Sequence, residues 1–595
     1  MSKPAFLVAV LLACIPPATP ADSQMPVQIE KNVPAAMRDG TVLRADIYRP
    51  RAPGRYPAIL QRTPYSKNPL HASDEFSKIA SHGFVVVIQD TRGRYMSDGV
   101  ARPHDEAQDG FDTIAWVAQL PYVNRKVGMF GGSYLATTQL LAATLKPLAL
   151  AALFPASSYA SRYDMVFQGG AFYLSDGLGW NLGQAVDVRR RVLTPGADRD
   201  GPIGLNAAES KAFQEQWLWQ VPLKSIDALE IRKYAPGYFL MLDHPSYDAY
   251  WRTFDIESRH DQFQVPAYHL TGWYDTLLTG TLRNFTGLRA HAATEEARRY
   301  QRLVIGPWTH ARPTLQSTKI GEVDFGPEAG LDSQDLMLRW FQYWLKGGDR
   351  AVIEGAPVRI FVMGANRWRD EPEWPLTRAR TTAYYLGSGG RAKTGTGNGT
   401  LGLKSGGGAS EDRFVYDPAN PVPTGAQRGY SRTPSDQREV EKREDVLVYS
   451  TAPLREAIEV TGPISVKLWV ASSARDTDFT AKLVDVFPDG TARALTDGIL
   501  RARYRDSKTQ PELLTPGQPV EITIDVGATS NLFQAGHRIR LDISSSNFPR
   551  FDRNPNTGGA FGEDSKLLRA GQTILHDAKH PSRLLLPVVP AEVHP

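Results

Sequence analysis

The chain has 595 residues, enough for several domains, and its 42% hydrophobic and 22% charged residues have the balance of a folded soluble protein. Its net charge of +4 comes from 68 basic and 64 acidic side chains scattered among one another, which argues against nucleic acid as a partner. The single cysteine, Cys14, excludes internal disulfides and a cysteine-ligated metal centre.

Lys3, the apolar run Ala5 to Cys14 and the breaks at Pro16, Pro17 and Pro20 read as an export signal over residues 1–21, cleaved after Ala21. The run is too short to span a bilayer. Leu11-Leu12-Ala13-Cys14 also resembles a bacterial lipoprotein processing box, so a signal over 1–13 with a lipid on Cys14 is the alternative. Either way the protein is expected to be exported, periplasmic or secreted, without a membrane span in the mature chain.

Val27 to Tyr48 alternates around an Asp39-Gly40 turn, with Leu43, Ala45 and Ile47 on one face, and reads as two extended strands. Tyr56 to Leu60 is a short strand ending at Arg62-Thr63-Pro64-Tyr65. Phe84 to Ile88 is a β-branched run suited to burial on both faces. A helix is expected over Asp109 to Leu120, then a strand from Val127 to Phe130. Gly131-Gly132-Ser133-Tyr134 follows, and Ala136 to Leu145 continues as a helix. Strand, tight turn and helix would leave the Ser133 hydroxyl exposed on an elbow, although the stretch alone also fits a Gly-Ser turn capping a helix.

From 156 to 260 the strand rhythm stops. The segment carries Phe167, Phe172, Tyr173, Trp180, Trp217 and Trp219, and helical spacing over Asn206 to Val221, and reads as a helical cap. Its aromatics are expected to be mostly core, with a minority lining a site. Strands return at Ala267 to Leu270, ending at Gly272-Trp273-Tyr274-Asp275, and at Leu303 to Ile305, ending at Gly306-Pro307-Trp308-Thr309-His310. An amphipathic helix over Asp332 to Lys346 closes at Gly347-Gly348. Gly387 to Gly408 reads as a loop. Short alternating strands such as Ile464 to Val470 and Arg538 to Ile543 indicate a β-sandwich. The expected division is an α/β domain over 27–155 and 261–354, the cap over 156–260, and the β-sandwich over 355–590.

Ser133, Asp275 and His310 each follow an expected strand, in the chain order of the α/β-hydrolases. A serine hydroxyl needs a base to take its proton as it attacks. An imidazole serves near neutral pH, and a carboxylate fixes its tautomer and stabilises the imidazolium. The oxyanion that forms needs preorganised donors, and the Tyr134 N–H directly follows the nucleophile.

Across nearly the whole mature chain these stretches, in this order, resemble the family of cocaine esterase, α-amino-acid ester hydrolases and X-Pro dipeptidyl-peptidases. His244-Pro245-Ser246-Tyr247-Asp248, Gln89-Asp90-Thr91-Arg92-Gly93, Ser546-Asn547-Phe548-Pro549-Arg550 and Asp552-Arg553-Asn554-Pro555 belong to the same resemblance. It implies Ser133 as nucleophile, His310 as base, Asp275 as its orienting acid, and the Tyr65 hydroxyl with the Tyr134 N–H as oxyanion hole. It also implies an α/β-hydrolase sheet with a helical cap and a C-terminal jelly-roll-like β-sandwich, acting on a small ester or amide without cofactor or metal.

Asp90 and Arg92 are expected to form a structural ion pair with each other, Asp476-Thr477-Asp478 to form a turn, and His71, His82 and His291 to be structural or exposed. In α-amino-acid ester hydrolases, carboxylates near the catalytic Asp and in the cap hold the substrate ammonium. Here Asp275 is followed by Thr276-Leu277-Leu278, and the comparable cap stretch reads Asp164-Met165-Val166-Phe167. This departure favours neutral acyl esters. An X-Pro dipeptidyl-peptidase or amino-acid ester hydrolase is the alternative, and an inactive scaffold that binds a partner is a third reading.

Overall fold

The computed structural model describes residues 24–68, 72–193, 204–310, 317–405, 410–425 and 433–590. The expectations for the signal, Cys14 and His71 lie outside the described residues.

The first sheet has ten strands: β1 (Val27–Ala36), β2 (Val42–Pro50), β3 (Tyr56–Thr63), β4 (Val85–Asp90), β5 (Val123–Gly132), β6 (Leu150–Ala156), β7 (Tyr268–Tyr274), β8 (Arg302–Thr309), β9 (Val358–Val362) and β10 (Arg367–Glu371). Their spatial order is β1-β2-β4-β3-β5-β6-β7-β8-β9-β10. From β4 through β9 the neighbours run parallel, and the antiparallel pairs lie at the two edges. Val85 to Ile88 are all 0% exposed, as a β-branched strand covered on both faces requires. The sheet runs past residue 354. Strands β9 and β10 extend it because Val358 and Ile360 on one face of β9 and Phe361 on the other are fully buried beside β8.

The helix Ser333–Lys346 covers one face of this sheet. Asp332 caps it by accepting from the Gln334 and Asp335 N–H groups, and Gly347 ends it in the left-handed region at φ 74°. Phe341 lies so close to β5 that a Cβ on Gly128 would fall 2.4 Å from its ring. The helix expected from Asp109 starts one turn earlier, at Glu106. In the cap, a helix over Ala207–Glu215 carries an Asn206/Glu209 capping box, and the long helix Leu174–Leu193 crosses above the carboxyl ends of β3 and β5.

The C-terminal region is an all-β domain. Ile458–Ser472 and Val520–Phe533 form its longest antiparallel pair. Ile464, Val466, Leu468 and Val470 point into its core, as do Ile539, Leu541 and Ile543. The glycine-rich stretch expected as a loop contains a strand, Gly399–Gly402, paired with Arg380–Gly387 and Leu447–Ser450. Leu401 anchors it in the core, and at Gly399 a Cβ would meet the Val448 carbonyl at 2.1 Å, so glycine permits the close pairing. Among the described residues no helix is long and apolar enough to cross a membrane.

Candidate active site

Strand β5 ends in a sharp turn at Ser133, held at φ 61°, ψ −124°, before the helix Tyr134–Ala143 begins. Gly131 sits at φ 131°, and a Cβ there would lie 2.6 Å from Leu135, so the turn closes only on glycine. The Ser133 N–H donates to the Ala156 carbonyl of β6, which pins the elbow to the sheet. Asp275 follows β7 and His310 follows β8, neighbouring parallel strands whose carboxyl ends meet beside the elbow.

The three side chains form one hydrogen-bonded line. His310 Nε2 is 2.9 Å from Ser133 Oγ, and His310 Nδ1 is 3.0 Å from Asp275 Oδ1. The Asp275 carboxylate is 1% exposed; it accepts the Leu277 N–H at 2.7 Å and, on its other oxygen, a short bond from the Ser157 hydroxyl. Burial alone would raise the Asp275 pKa, but His310 and these donors outweigh it and hold the carboxyl below its ordinary value. For His310, burial works against the charged form, yet the Asp275 charge and hydrogen bond raise the imidazole above its usual value, with Asp176 adding to the effect. The arrangement has the orienter, base and nucleophile geometry of acyl transfer.

Tyr65 stands just past β3. Trp180, from the cap, donates its indole N–H to the Tyr65 hydroxyl at 3.1 Å, and the same hydroxyl faces Ser133, with its proton available to an acceptor there. Trp180 also stacks on Tyr134 at 6.0 Å, and Tyr65 meets Tyr134 edge-on at 6.5 Å. The Tyr134 hydroxyl donates to Glu106 at 3.0 Å. Its N–H is the first of the helix, where no intrahelical acceptor exists. Sequence and structure thus place Ser133, Asp275, His310, Tyr65 and Tyr134 at one spot.

They open on a cavity of about 350 Å³. Thr276 and Leu277 from the hydrolase sheet, Met165 and Trp180 from the cap, and Ile499 and Leu500 from the all-β domain line it. Of the six cap aromatics named from the sequence, Phe167, Tyr173 and Trp180 reach the cavity, where Tyr159 and Tyr163 join them. Trp219 instead packs on Phe548 at 4.4 Å.

Two family models match the chain: the X-Pro dipeptidyl-peptidase (S15 family) over residues 39–312, and the X-Pro dipeptidyl-peptidase C-terminal non-catalytic domain over 352–585. The chain is 38% identical over 587 residues to the cocaine esterase of Rhodococcus sp. (strain MB1 Bresler), covering 94% of this chain and 98% of that protein. The chain belongs to the cocaine esterase and X-Pro dipeptidyl-peptidase family. It is an enzyme, a serine hydrolase of the α/β-hydrolase fold with a C-terminal all-β domain. A solved α-amino acid ester hydrolase superposes with TM-score 0.82 at 26% identity, over 96% of this chain and 98% of that one. An aminopeptidase from a marine sediment archaeon, Thaumarchaeota archaeon, shares the fold at TM-score 0.81 and 24% identity, covering 97% and 99%.

Several family stretches have structural tasks. Asp90 and Arg92 do not pair with each other. The strand β4 ends at Asp90 and the chain turns after it, so Asp90 lies 3.7 Å from Lys67 while Arg92 bonds Asp109 and Asp39, each at 2.6 Å. Asp476 and Asp478 anchor buried ion pairs with Arg503 and Arg501 at 2.8 and 2.9 Å, where a plain turn was expected. Asp248 bonds His244, and Asp243 bonds Lys224, away from the cavity.

The cap also brings in groups that the sequence did not single out. Asp176, 7% exposed, lines the cavity with one carboxylate oxygen unbonded; burial pushes its pKa up to about 7 despite Tyr173, Arg550 and His310. Asp164 reaches the wall too, but it is held by Arg283 at 2.8 Å and Lys508 at 3.3 Å. No local motif marks Asp176 or Arg162; the packing of the cap helices over the sheet aims them at the site.

Proposed function

We propose that this enzyme hydrolyses carboxylic esters of small acyl groups through an acyl-enzyme intermediate. Ser133 attacks the ester carbonyl while His310 takes its proton, and Asp275 holds the imidazole in the tautomer that presents Nε2. The tetrahedral oxyanion is received by the Tyr65 hydroxyl and the Tyr134 N–H. His310 then returns the proton to the leaving alcohol, and a water repeats the sequence on the acyl-enzyme. The observation that carries this reading is the unbroken Ser133–His310–Asp275 hydrogen-bond line opening on a cavity with apolar Leu277, Met165 and Leu500 in its wall.

A second reading, amino-acid ester hydrolysis or dipeptidyl-peptidase activity, draws support from Asp176, whose free carboxylate oxygen could meet a substrate ammonium. Paired assays separate the two. A 4-nitrophenyl acyl ester is expected to turn over faster than an X-Pro 4-nitroanilide, and a fluorophosphonate probe is expected to label wild type but not Ser133→Ala. Absence of labelling on folded wild-type protein would overturn both readings in favour of a scaffold that only binds.

A further inference from the structure

Arg162 opens the short cap helix Arg162–Val166 and lines the same cavity as Ser133, Tyr134 and Thr137. Its guanidinium lies over the Phe254 ring, 5.2 Å from the centroid, and that ring stacks on His104. Within the described residues it forms no salt bridge, and its Nε is buried without an acceptor. Beside it stands Tyr159, whose buried hydroxyl faces both the Arg162 guanidinium and Thr137 without a well-aligned hydrogen bond to either. This wall therefore presents a guanidinium and a hydroxyl that face each other with no carboxylate between them.

The carboxylates around it are engaged elsewhere. Glu106, which acts on Tyr134 and Tyr159, is held by Arg62 and accepts the Tyr134 hydroxyl. Asp164, two residues along, is held by Arg283 and Lys508. Asp248, on the side of Tyr250, bonds His244 at 2.6 Å. Glu257 lies 3.6 Å from Arg283. Asp176 faces His310 and Arg550. A half-buried guanidinium without a counter-ion, its Nε buried and unbonded, and a buried hydroxyl without a well-aligned partner each cost free energy that a bound anion would recover.

We propose that Arg162 and Tyr159 form an anion subsite that selects esters carrying a second, free carboxylate. The guanidinium fork suits a carboxylate, and the Tyr159 hydroxyl adds a further donor. The proposal rests on the ester-hydrolase reading and deepens it by naming a substrate class. The carboxylate could belong to the acyl part, as in a dicarboxylic hemiester, or to the leaving alcohol.

The experiment measures kcat/KM for matched esters on the full-length enzyme. The acyl arm compares 4-nitrophenyl hemiglutarate with its neutral methyl diester, each corrected for spontaneous hydrolysis. The leaving-group arm compares 3-carboxyphenyl butyrate with 3-carbamoylphenyl butyrate. Wild type is expected to favour the carboxylate in one arm by about tenfold or more, and the favoured arm identifies the source. In Arg162→Met that ratio should collapse to within about threefold of unity, and in Arg162→Lys it should be partly kept. Tyr159→Phe should reduce the ratio without abolishing it. Ratios near unity in both arms of wild type would overturn the proposal without any variant having to fold. So would a preference that survives Arg162→Met. If wild type turns over none of these esters, 4-nitrophenyl butyrate included, the ester-hydrolase reading itself has failed.

Discussion

Replacing Tyr65 by Phe tests the oxyanion hole with one atom. The Tyr65 hydroxyl accepts from the Trp180 indole at 3.1 Å, so its own proton is free to meet the oxygen that becomes negative. Desolvation raises its pKa, which keeps it a protonated donor across the neutral range. Loss of one oxyanion donor costs about 2.7–4 kcal/mol of transition-state binding, or about 10²–10³ in rate. The ground-state carbonyl gains little from that donor, so the loss should fall on kcat and leave KM within about threefold. The ring keeps its edge contact with Tyr134. Trp180 loses an acceptor in a hydrated cavity, worth about 1 kcal/mol of stability at most. The assay is steady-state hydrolysis of a 4-nitrophenyl ester, with a denaturant midpoint measured on the same preparation. Trp180→Phe is the control: it removes the indole donor but keeps the phenolic proton, and should cost under about tenfold. A Tyr65→Phe enzyme within threefold of wild-type kcat/KM, with the fold intact, would refute the oxyanion role.

Ser133→Ala should lower turnover by about 10⁴-fold or more, because the triad acts as a unit; residual activity near wild type in purified, folded protein would refute the nucleophile. His310 must be neutral to act as base, and Asp275 holds its pKa above the usual 6.5 against burial. The kcat/KM profile should therefore fall on acidification with a midpoint above 6.5, and Asp176→Asn should move that midpoint down by removing a negative neighbour. A midpoint below 6.5 would count against the coupling. A phenylacetyl ester should be hydrolysed at least as well as its phenylglycine counterpart, since Thr276 and Leu277 occupy the wall where a carboxylate would hold the amine. A tenfold preference for phenylglycine, about 1.4 kcal/mol, would reverse this and assign the ammonium to Asp176, and Asp176→Asn must then erase it.

The triad was legible because each member sits at the end of a strand, and strand ends are marked locally. The apolar runs before Gly131, Gly272 and Gly306 each announce a parallel strand, and β7 and β8 run on through Tyr274 and Thr309 to deliver Asp275 and His310. Tyr65 also follows a strand end, but a tyrosine there fits the core as readily as a site; resemblance gave it its role, and the structure adds the Trp180 contact. What stayed hidden depends on long-range packing. Asp176 and Arg162 belong to helices whose orientation over the sheet no periodicity encodes. Arg62 and Glu106, 0% and 6% exposed, were equally opaque as a pair, because a buried ion pair joins residues with no sequence signature in common. The Asp90 and Arg92 expectation went wrong for the same reason: proximity in sequence was taken for proximity of charge.

The all-β domain belongs to the site as well as to the fold. The cap turn Gly169-Gly170 is pressed onto it so closely that a Cβ at Gly169 would meet the Ile499 carbonyl at 2.1 Å, and one at Gly170 the Tyr504 ring at 2.2 Å. The Arg501 N–H donates to the Gly169 carbonyl at 2.8 Å, and Asp552 accepts the Phe172 N–H at 2.9 Å. Asp552 is itself fixed by Arg501 at 2.9 Å, and Arg550 by Asp497 at 2.6 Å. These buried pairs fix the cap turn from which Phe167 and Tyr173 enter the cavity. The same domain supplies Ile499, Leu500, Tyr504 and Lys508 to the cavity directly. A domain without a reacting group thus builds part of the cavity wall, so substitutions there should change which ester is chosen before they change how fast the bond breaks.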